Sequence, residues 1–177
     1  MIVAGFAGVG KSTFAEMYPC SVFDFVAMPY KYYLKPITPD FDPEASKANY
    51  DDMREEWPDN YVEALKNFMY DATLISEDSG LSYKKIFLIP SDRLVLNMLR
   101  ADGIPYTLVY PEYGAKDVYR QRYIDRGNTE DFLSVFIDGW DYFMTDLAAD
   151  TYGQHIVLKS YEFLSDVLGG DGTARGK

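Results

Sequence analysis

The sequence is short of the residues that build disulfide frameworks and thiolate or imidazole metal sites. It has one cysteine, Cys20, and one histidine, His155. A single cysteine excludes an intrachain disulfide, and the two counts together exclude zinc sites built from several cysteines or histidines. With no disulfide to support it, we expect the chain to work in a reducing, cytoplasmic location.

Long apolar runs and an excess of basic residues are also missing. No stretch approaches the roughly 18 consecutive apolar residues of a membrane-spanning helix, and the first residues lack the pattern of a secretion signal. The chain carries 17 basic and 28 acidic residues, a formal net charge of −11. Such a surface repels nucleic acid and anionic membranes unless a local basic groove exists. We therefore expect no membrane partner, consider a nucleic-acid partner unfavourable and leave the oligomeric state open.

What is present is an alternation of short apolar runs with helical patterns. Strands are predicted at 1–4, 21–28, 84–90, 106–111 and 154–159. Helices are predicted at 11–18, 59–76, from Ser91 to Gly103, 129–150 and 160–168, with a shorter one at about 45–56. This pattern predicts an α/β fold with a parallel sheet covered on both faces and ligands at the carboxyl ends of its strands. One domain is expected over 1–168, followed by a loose tail at 169–177.

The segment GFAGVGKSTF, residues 5–14, has the spacing of a phosphate-binding loop, also called a Walker A motif. It follows an apolar run and precedes a helical pattern, the context in which such loops occur. Its backbone N–H groups can turn inward around a phosphate, and the helix that follows adds its dipole. The alternative is a glycine-rich turn with an exposed lysine. The predicted nucleotide site comprises Gly5, Ala7, Gly8, Val9, Gly10, Lys11, Ser12 and Thr13.

Three side chains of this loop have separate expected roles. Lys11 is expected to reach the β- and γ-phosphates, and Thr13 to touch the α-phosphate. Ser12 is the expected metal ligand, since this hydroxyl holds Mg²⁺ in such loops. The loop therefore predicts a nucleoside triphosphate with Mg²⁺ as cofactors, and it leaves open whether the donor is ATP or another triphosphate.

With this loop and this succession of strands and helices, the chain resembles the P-loop kinases of the nucleoside and nucleotide (adenylate-kinase-like) type. The resemblance implies a five-stranded parallel sheet in the order 2-3-1-4-5. It implies ATP-dependent phosphoryl transfer to a small acceptor, a nucleoside or a nucleotide. It also implies an acceptor-binding segment at about 29–60 and a lid over the phosphates at about 111–128.

Other P-loop classes fit this sequence less well. The guanine-reading sequence NKxD of GTPases is absent. The third predicted strand ends IFLIPSD, so its acid is displaced by two residues from the place where helicase and AAA-type ATPases carry it. The displacement leaves open whether Asp24 or Asp92 supports Mg²⁺. It also favours a nucleotide-binding regulatory or interaction protein with a degenerate site. A polynucleotide 5′-kinase is a further alternative, which the acidic charge disfavours.

Two acids are candidates for the acceptor site. Asp24 lies near the end of the second predicted strand, where it can accept a proton from a substrate hydroxyl. Asp92 and Arg93 resemble the Asp-Arg pair that follows strand three in thymidylate and deoxynucleoside kinases and contacts substrate and phosphate there. A solvated strand end explains Asp24 equally simply, and Asp92 also suits the start of a helix.

The segment at 29–60 is rich in proline, tyrosine and charge. Its tyrosines Tyr30, Tyr32 and Tyr33 could stack on a base. Its cations Lys31, Lys35 and Arg54 could meet an acceptor phosphate. The alternative is a surface insertion whose tyrosines pack on the core.

The predicted lid contains YRQRYIDRGN, with three of the chain's seven arginines. Arg122 and Arg126 are four residues apart and would share one face of a helix. We expect both to stabilise charge on the transferred phosphoryl group. Arg120 lies off that face and is assigned to substrate binding, and Gly127 offers a hinge. The alternative is a surface helix that pairs these arginines with neighbouring acids.

Overall fold

The structure, a computed structural model, describes residues 1–34, 50–78 and 85–169. Within these ranges its strands are β1 (Ile2–Gly5), β2 (Val22–Asp24), β3 (Tyr32–Leu34), β4 (Tyr50–Met53), β5 (Ile86–Pro90), β6 (Tyr106–Pro111) and β7 (Gln154–Leu158). Its helices are α1 (Lys11–Met17), α2 (Met28–Lys31), α3 (Asp59–Asp78), α4 (Arg93–Ala101), α5 (Lys116–Asp125), α6 (Glu130–Leu133), α7 (Trp140–Ala148) and α8 (Leu164–Leu168). A 3-10 turn at Tyr113–Ala115 precedes α5, and a π-helical turn at Ser134–Asp138 separates α6 from α7.

Five of these strands form one parallel sheet in the order β2-β5-β1-β6-β7. The numbering differs from the expected 2-3-1-4-5 because the sequence analysis predicted neither β3 nor β4. These two strands pair with each other in a separate antiparallel sheet. Counted along the main sheet alone, its strands stand in the order second, third, first, fourth and fifth. The α/β class and the five-stranded parallel sheet agree with the sequence analysis.

The middle of the sheet is covered on both faces. Every residue of β1 and β6 is buried, and so are the first four residues of β5. This is why these strands are apolar at consecutive positions instead of alternating. The helices supply the other half of the core through fully buried side chains such as Phe14, Leu65, Leu96 and Trp140. Each such side chain contributes roughly 1.5–3 kcal/mol by leaving water.

Two elements near the second strand differ from their prediction. The strand expected over 21–28 ends at Asp24, because Pro29 lies in the first turn of α2 and favours the start of a helix there. The helix expected at about 45–56 is wrong where it can be tested. Tyr50–Met53 is a strand that pairs with β3, and residues 45–49 lie outside the described part of the chain.

Three helix boundaries also differ from their prediction. Asp92, not Ser91, caps α4, since its Oδ1 accepts a hydrogen bond from Leu94 N at 3.0 Å. The long helix expected over 129–150 is interrupted at Gly139, where a Cβ would lie only 2.5 Å from the Val135 carbonyl oxygen. The last helix begins at Leu164 and not at residue 160. The predicted tail from residue 170 onward lies outside the described residues.

No helix among the described residues combines the length and the apolar character needed to cross a membrane.

Candidate functional site

The loop between β1 and α1 has a conformation that requires glycine. Gly8 and Gly10 have φ angles of 80° and 92°, in the left-handed region that side chains disfavour. A Cβ at Gly8 would also lie 2.8 Å from a ring carbon of Tyr123. Both the backbone conformation and the space around it therefore exclude a larger residue at Gly8.

Three distant parts of the chain hold this loop in place. Phe6 N donates to Val109 O of β6 at 2.9 Å. The buried Tyr123 of α5 donates from its Oη to Ala7 O at 2.9 Å. Leu164 N, at the start of α8, donates to Val9 O at 2.8 Å. The loop is consequently shaped by the surrounding fold before any ligand arrives.

Lys11 begins α1 and turns back over the loop. Its Nζ donates to Gly5 O at 2.7 Å and to Phe6 O at 3.1 Å. Burial lowers the pKa of this ammonium to about 8, against a smaller opposing effect of the Asp24 carboxylate, and the nearby Arg126 lowers it further. Two neutral carbonyls compensate this charge only in part. An anion bound in the loop would therefore find a poorly stabilised cation close by.

Ser12 and Asp24 form the second polar contact of the loop. Ser12 Oγ donates to Asp24 Oδ2 at 2.7 Å, which joins the first turn of α1 to the end of β2. The acid beside the loop's serine is thus Asp24, whereas Asp92 pairs with Lys31. A hydroxyl and a carboxylate are hard oxygen donors that suit Mg²⁺. The described residues contain no group of three or more His, Cys, Asp or Glu side chains able to hold a metal ion. A Mg²⁺ ion here would therefore complete its shell with waters and phosphate oxygens.

The two arginines expected to act together have different surroundings. Arg122 Nη2 donates to Ser160 O at 2.8 Å, and its guanidinium lies 4.0 Å from the Phe163 ring centroid and 4.7 Å from that of Tyr119. It therefore ties α5 to the connection between β7 and α8. The expected role of Arg122 at the transferred phosphoryl group stays a prediction.

Arg126 follows the last residue of α5 and is exposed. Its charge lowers the pKa of Lys11 and partly opposes the rise that burial causes in the pKa of Tyr123. Within the described residues it has no ion-pair partner. Gly127, with φ of 71°, ends the helix directly after it. Arg120 is also exposed on α5, and its assignment to substrate binding stays a prediction.

The other predicted cations lie in ion pairs or against rings. Lys31 Nζ lies 2.7 Å from Asp92 Oδ2, and Arg93 Nη2 lies 2.5 Å from Asp146 Oδ1 of α7. Arg54 donates from Nε to Tyr32 O at 3.1 Å, with its guanidinium 4.4 Å from the Tyr33 ring centroid. Lys35 lies outside the described residues.

An aromatic cluster beside Asp24 is the part of the site that sequence reasoning missed. Trp57 and Tyr61 flank the start of α3, with ring centroids 5.4 Å apart, and Tyr61 Oη donates to Phe25 O at 2.6 Å. Burial is the largest effect raising the pKa of the Tyr61 phenol, and the charges of Asp24 and Asp92 raise it further. The sequence WPDNY indicated a helix start but gave no signal that the charges of two carboxylates act on its tyrosine, Tyr61.

These groups gather at one edge of the sheet. The loop follows the end of β1, Asp24 ends β2 and Asp92 follows the end of β5, so all three lie beyond the carboxyl ends of neighbouring parallel strands. This is where open α/β sheets bind ligands. No known protein family matches this chain, and no curated protein matches it.

Proposed function

We propose that the chain binds ATP with Mg²⁺ at residues 5–13 and transfers the γ-phosphoryl group to a small acceptor beside Asp24. It would then be a P-loop kinase of the nucleoside and nucleotide type. The observation that carries the proposal is the geometry around α1. Lys11 bends over a glycine loop at the end of the central strand, and Ser12 contacts an acid at the end of a neighbouring strand.

The loop supports triphosphate binding in three ways. Its N–H groups and the first turn of α1 favour a phosphate anion. Lys11 exchanges its two carbonyl partners for phosphate oxygens, which compensate its charge better. Ser12 and Asp24 supply oxygen donors for Mg²⁺, which neutralises charge on the β- and γ-phosphates when it is bound.

Phosphoryl transfer needs an oriented acceptor and stabilisation of the transferring charge. Asp24 can orient the acceptor hydroxyl and receive its proton. Arg126 is the arginine that we assign to the transferred group, because its charge acts on Lys11 and it lacks an ion-pair partner in the described residues. Arg122 instead positions α5 against the connection that precedes α8.

The packing of α5 limits which residues of the segment 111–128 can move as a lid. Tyr119 and Tyr123 of this helix are fully buried, and Tyr123 contacts the loop itself. Opening the whole segment would expose two tyrosine side chains. We therefore propose that closure over the phosphates begins at Arg126 and Gly127, past the end of the helix.

Calorimetry with Mg·ATP tests the donor site. Lys11→Ala removes a charge-assisted contact of about 2–3 kcal/mol, so binding should weaken roughly 30-fold or more. The matched control is Lys66→Ala, on the exposed face of α3 and paired with Asp102, which should bind as the native protein does. Absence of Mg²⁺-dependent ATP binding by the native protein would contradict the proposal.

A nucleotide-binding regulatory protein without transferase activity would share the donor site. Labelled ATP incubated with a panel of nucleosides and nucleotides separates the two functions. A labelled acceptor supports the kinase, whereas ATP binding with no transfer to any acceptor of the panel supports the regulatory alternative.

A further inference from the structure

Lys31 pairs with Asp92, just beyond the carboxyl end of β5, so its positive charge is already neutralised. Lys31 forms an ion pair with Asp92 in which the two side chains are only 26% and 19% exposed. Its Nζ also lies 5.0 Å from the centroid of the Trp57 ring, a cation–π distance. Asp92 is fixed a second time, because it caps α4 through Leu94 N. The pair is held from both sides and offers no free positive charge.

The phosphate of a phosphorylated acceptor would be repelled by the carboxylates of Asp92 and Asp24. Asp24 adds a second carboxylate, and the Tyr61 phenol feels the charges of Asp24 and Asp92 together. A phosphate that recruited Lys31 would have to displace Asp92 and leave that partly buried carboxylate unpaired, which is costly. Arg93 is turned towards Asp146 of α7. Arg54, stacked over Tyr33, is the remaining cation of this region in the described residues.

The same place is lined by aromatic rings. Phe25, Tyr30 and Tyr61 contact one another with ring centroids 5.1 to 5.5 Å apart, and Trp57 packs on Tyr61. Trp57 is 7% exposed, yet its Nε1 has no hydrogen-bond partner in the described part of the chain. The Oδ1 of Asn60 also lacks one there. An unused donor and an unused acceptor, three residues apart beside these tilted and edge-on rings, suit the edge of a heteroaromatic base.

Resting on the proposed function, we infer that the acceptor is an uncharged nucleoside rather than a nucleoside monophosphate. Its hydroxyl oxygen forms the bond to the γ-phosphorus of ATP while the bond from that phosphorus to the β–γ bridging oxygen breaks. The hydroxyl proton passes to Asp24, and ADP and the nucleoside monophosphate are the products.

The test compares four nucleosides with their 5′-monophosphates. Binding of adenosine, guanosine, cytidine and thymidine, and of each monophosphate, is measured by calorimetry with Mg²⁺ and a non-hydrolysable ATP analogue filling the loop. At least one nucleoside should bind about tenfold or more tightly than its monophosphate, a difference that one repelled charge can supply. Monophosphates that bind equally well or better, or a panel in which no nucleoside binds, would overturn the inference.

Asp92→Asn tests the physical cause. Asparagine retains the helix cap but releases Lys31 from its counter-charge. The affinity for a monophosphate relative to its nucleoside should rise about tenfold. Asp102→Asn is the matched control, because it breaks the Lys66 pair at the opposite end of α4 and should leave the ratio unchanged. An unchanged ratio in Asp92→Asn would overturn the charge argument.

The two levels of the proposal can fail separately. Binding of the Mg²⁺–analogue complex is measured first, and its absence contradicts the proposed function and this inference with it. Analogue binding together with a preference for monophosphates contradicts only the inference about the acceptor. Arg54→Met would then identify the cation that holds the phosphate, through a loss of monophosphate binding.

Discussion

Asp24 and Asp150 differ in how deeply their carboxylates are buried and in how many hydrogen bonds they accept. Asp150 is 6% exposed and accepts hydrogen bonds from Arg100 at 2.5 Å, Tyr106 Oη at 2.9 Å, Tyr152 N at 2.9 Å and Gly153 N at 2.8 Å. Asp24 is half-buried and accepts one hydrogen bond in the described residues, from Ser12 Oγ. The Asp150 carboxylate therefore uses nearly all of its hydrogen-bond acceptor sites within the protein, whereas the Asp24 carboxylate uses only one.

The difference separates a structural acid from a candidate functional one. Asp150 precedes β7 and bonds Tyr106 at the start of β6, so it lies at the amino ends of these strands, away from the loop. Its hydrogen bonds lower its pKa despite its burial. Asp24 lies at the carboxyl edge with lone pairs free for a metal ion or a hydroxyl. A carboxylate whose hydrogen-bond acceptor sites are mostly unused, next to the glycine loop of residues 5–13, is therefore the feature that indicates a binding site.

The largest expected effect comes from Asp24→Asn. Loss of the carboxylate should lower kcat for phosphoryl transfer by about 10²-fold or more, the usual contribution of a general base. The free energy of unfolding should change by no more than about 1 kcal/mol, because the side chain has one protein partner. Steady-state kinetics and urea unfolding measure the two effects. Near-normal kcat would make Asp24 a structural acid as well.

Asp150→Asn is the reverse experiment. We expect the free energy of unfolding to fall by about 2–3 kcal/mol, because hydrogen bonds to a charged group contribute about that much. Mg·ATP affinity, measured by calorimetry on the folded variant, should stay within about twofold of the native value. A stable variant with impaired ATP binding would remove the distinction between the two acids.

The two arginines of the α5 region sharpen the same comparison with a smaller effect. Arg126→Lys should lower kcat about tenfold, because lysine keeps the charge but loses the forked donors. Arg122→Lys should leave kcat nearly unchanged and cost about 1 kcal/mol of stability, through the lost contacts with Ser160 and Phe163. If the kinetic effects are exchanged between the variants, the transferring group lies nearer Arg122.

The smallest expected effect is the uptake of a fraction of a proton by Lys11 when ATP binds. Lys11 has a pKa of about 8 in the free protein, so it is about half protonated at pH 8. A phosphate anion favours the charged form and raises this pKa, so ATP binding at pH 8 should take up roughly half a proton. Affinity should consequently fall as pH rises above about 8. Calorimetry in two buffers of different ionisation enthalpy measures the uptake, and Lys11→Arg, which stays charged, should abolish it.

Local signals predicted the loop and the main sheet, and non-local contacts account for what they missed. The glycine spacing of residues 5–10 and the apolar runs of β1, β5 and β6 each depend on neighbouring residues. The small sheet escaped prediction because its tyrosine-rich strands, such as Tyr32–Leu34, lack a clear alternation of apolar and polar residues.

The pairings within the site depend on tertiary structure. Arg122 contacts Ser160 and Phe163, which are about 40 residues away in the sequence, and Lys31 meets Asp92 across 61 positions. The four-residue spacing of Arg122 and Arg126 would place both on one face of a helix. It cannot reveal that the helix ends between them, at Asp125.

The hydrogen bond from Leu164 to Val9 has a consequence for biosynthesis. A ribosome makes residues 5–13 before their backbone partners, which lie on β6 and at the start of α8. A nascent chain that stops before α8 would carry the glycine loop without one of its supports. Nucleotide binding should therefore report that synthesis has passed residue 164, and ATP should protect α8 from proteolysis.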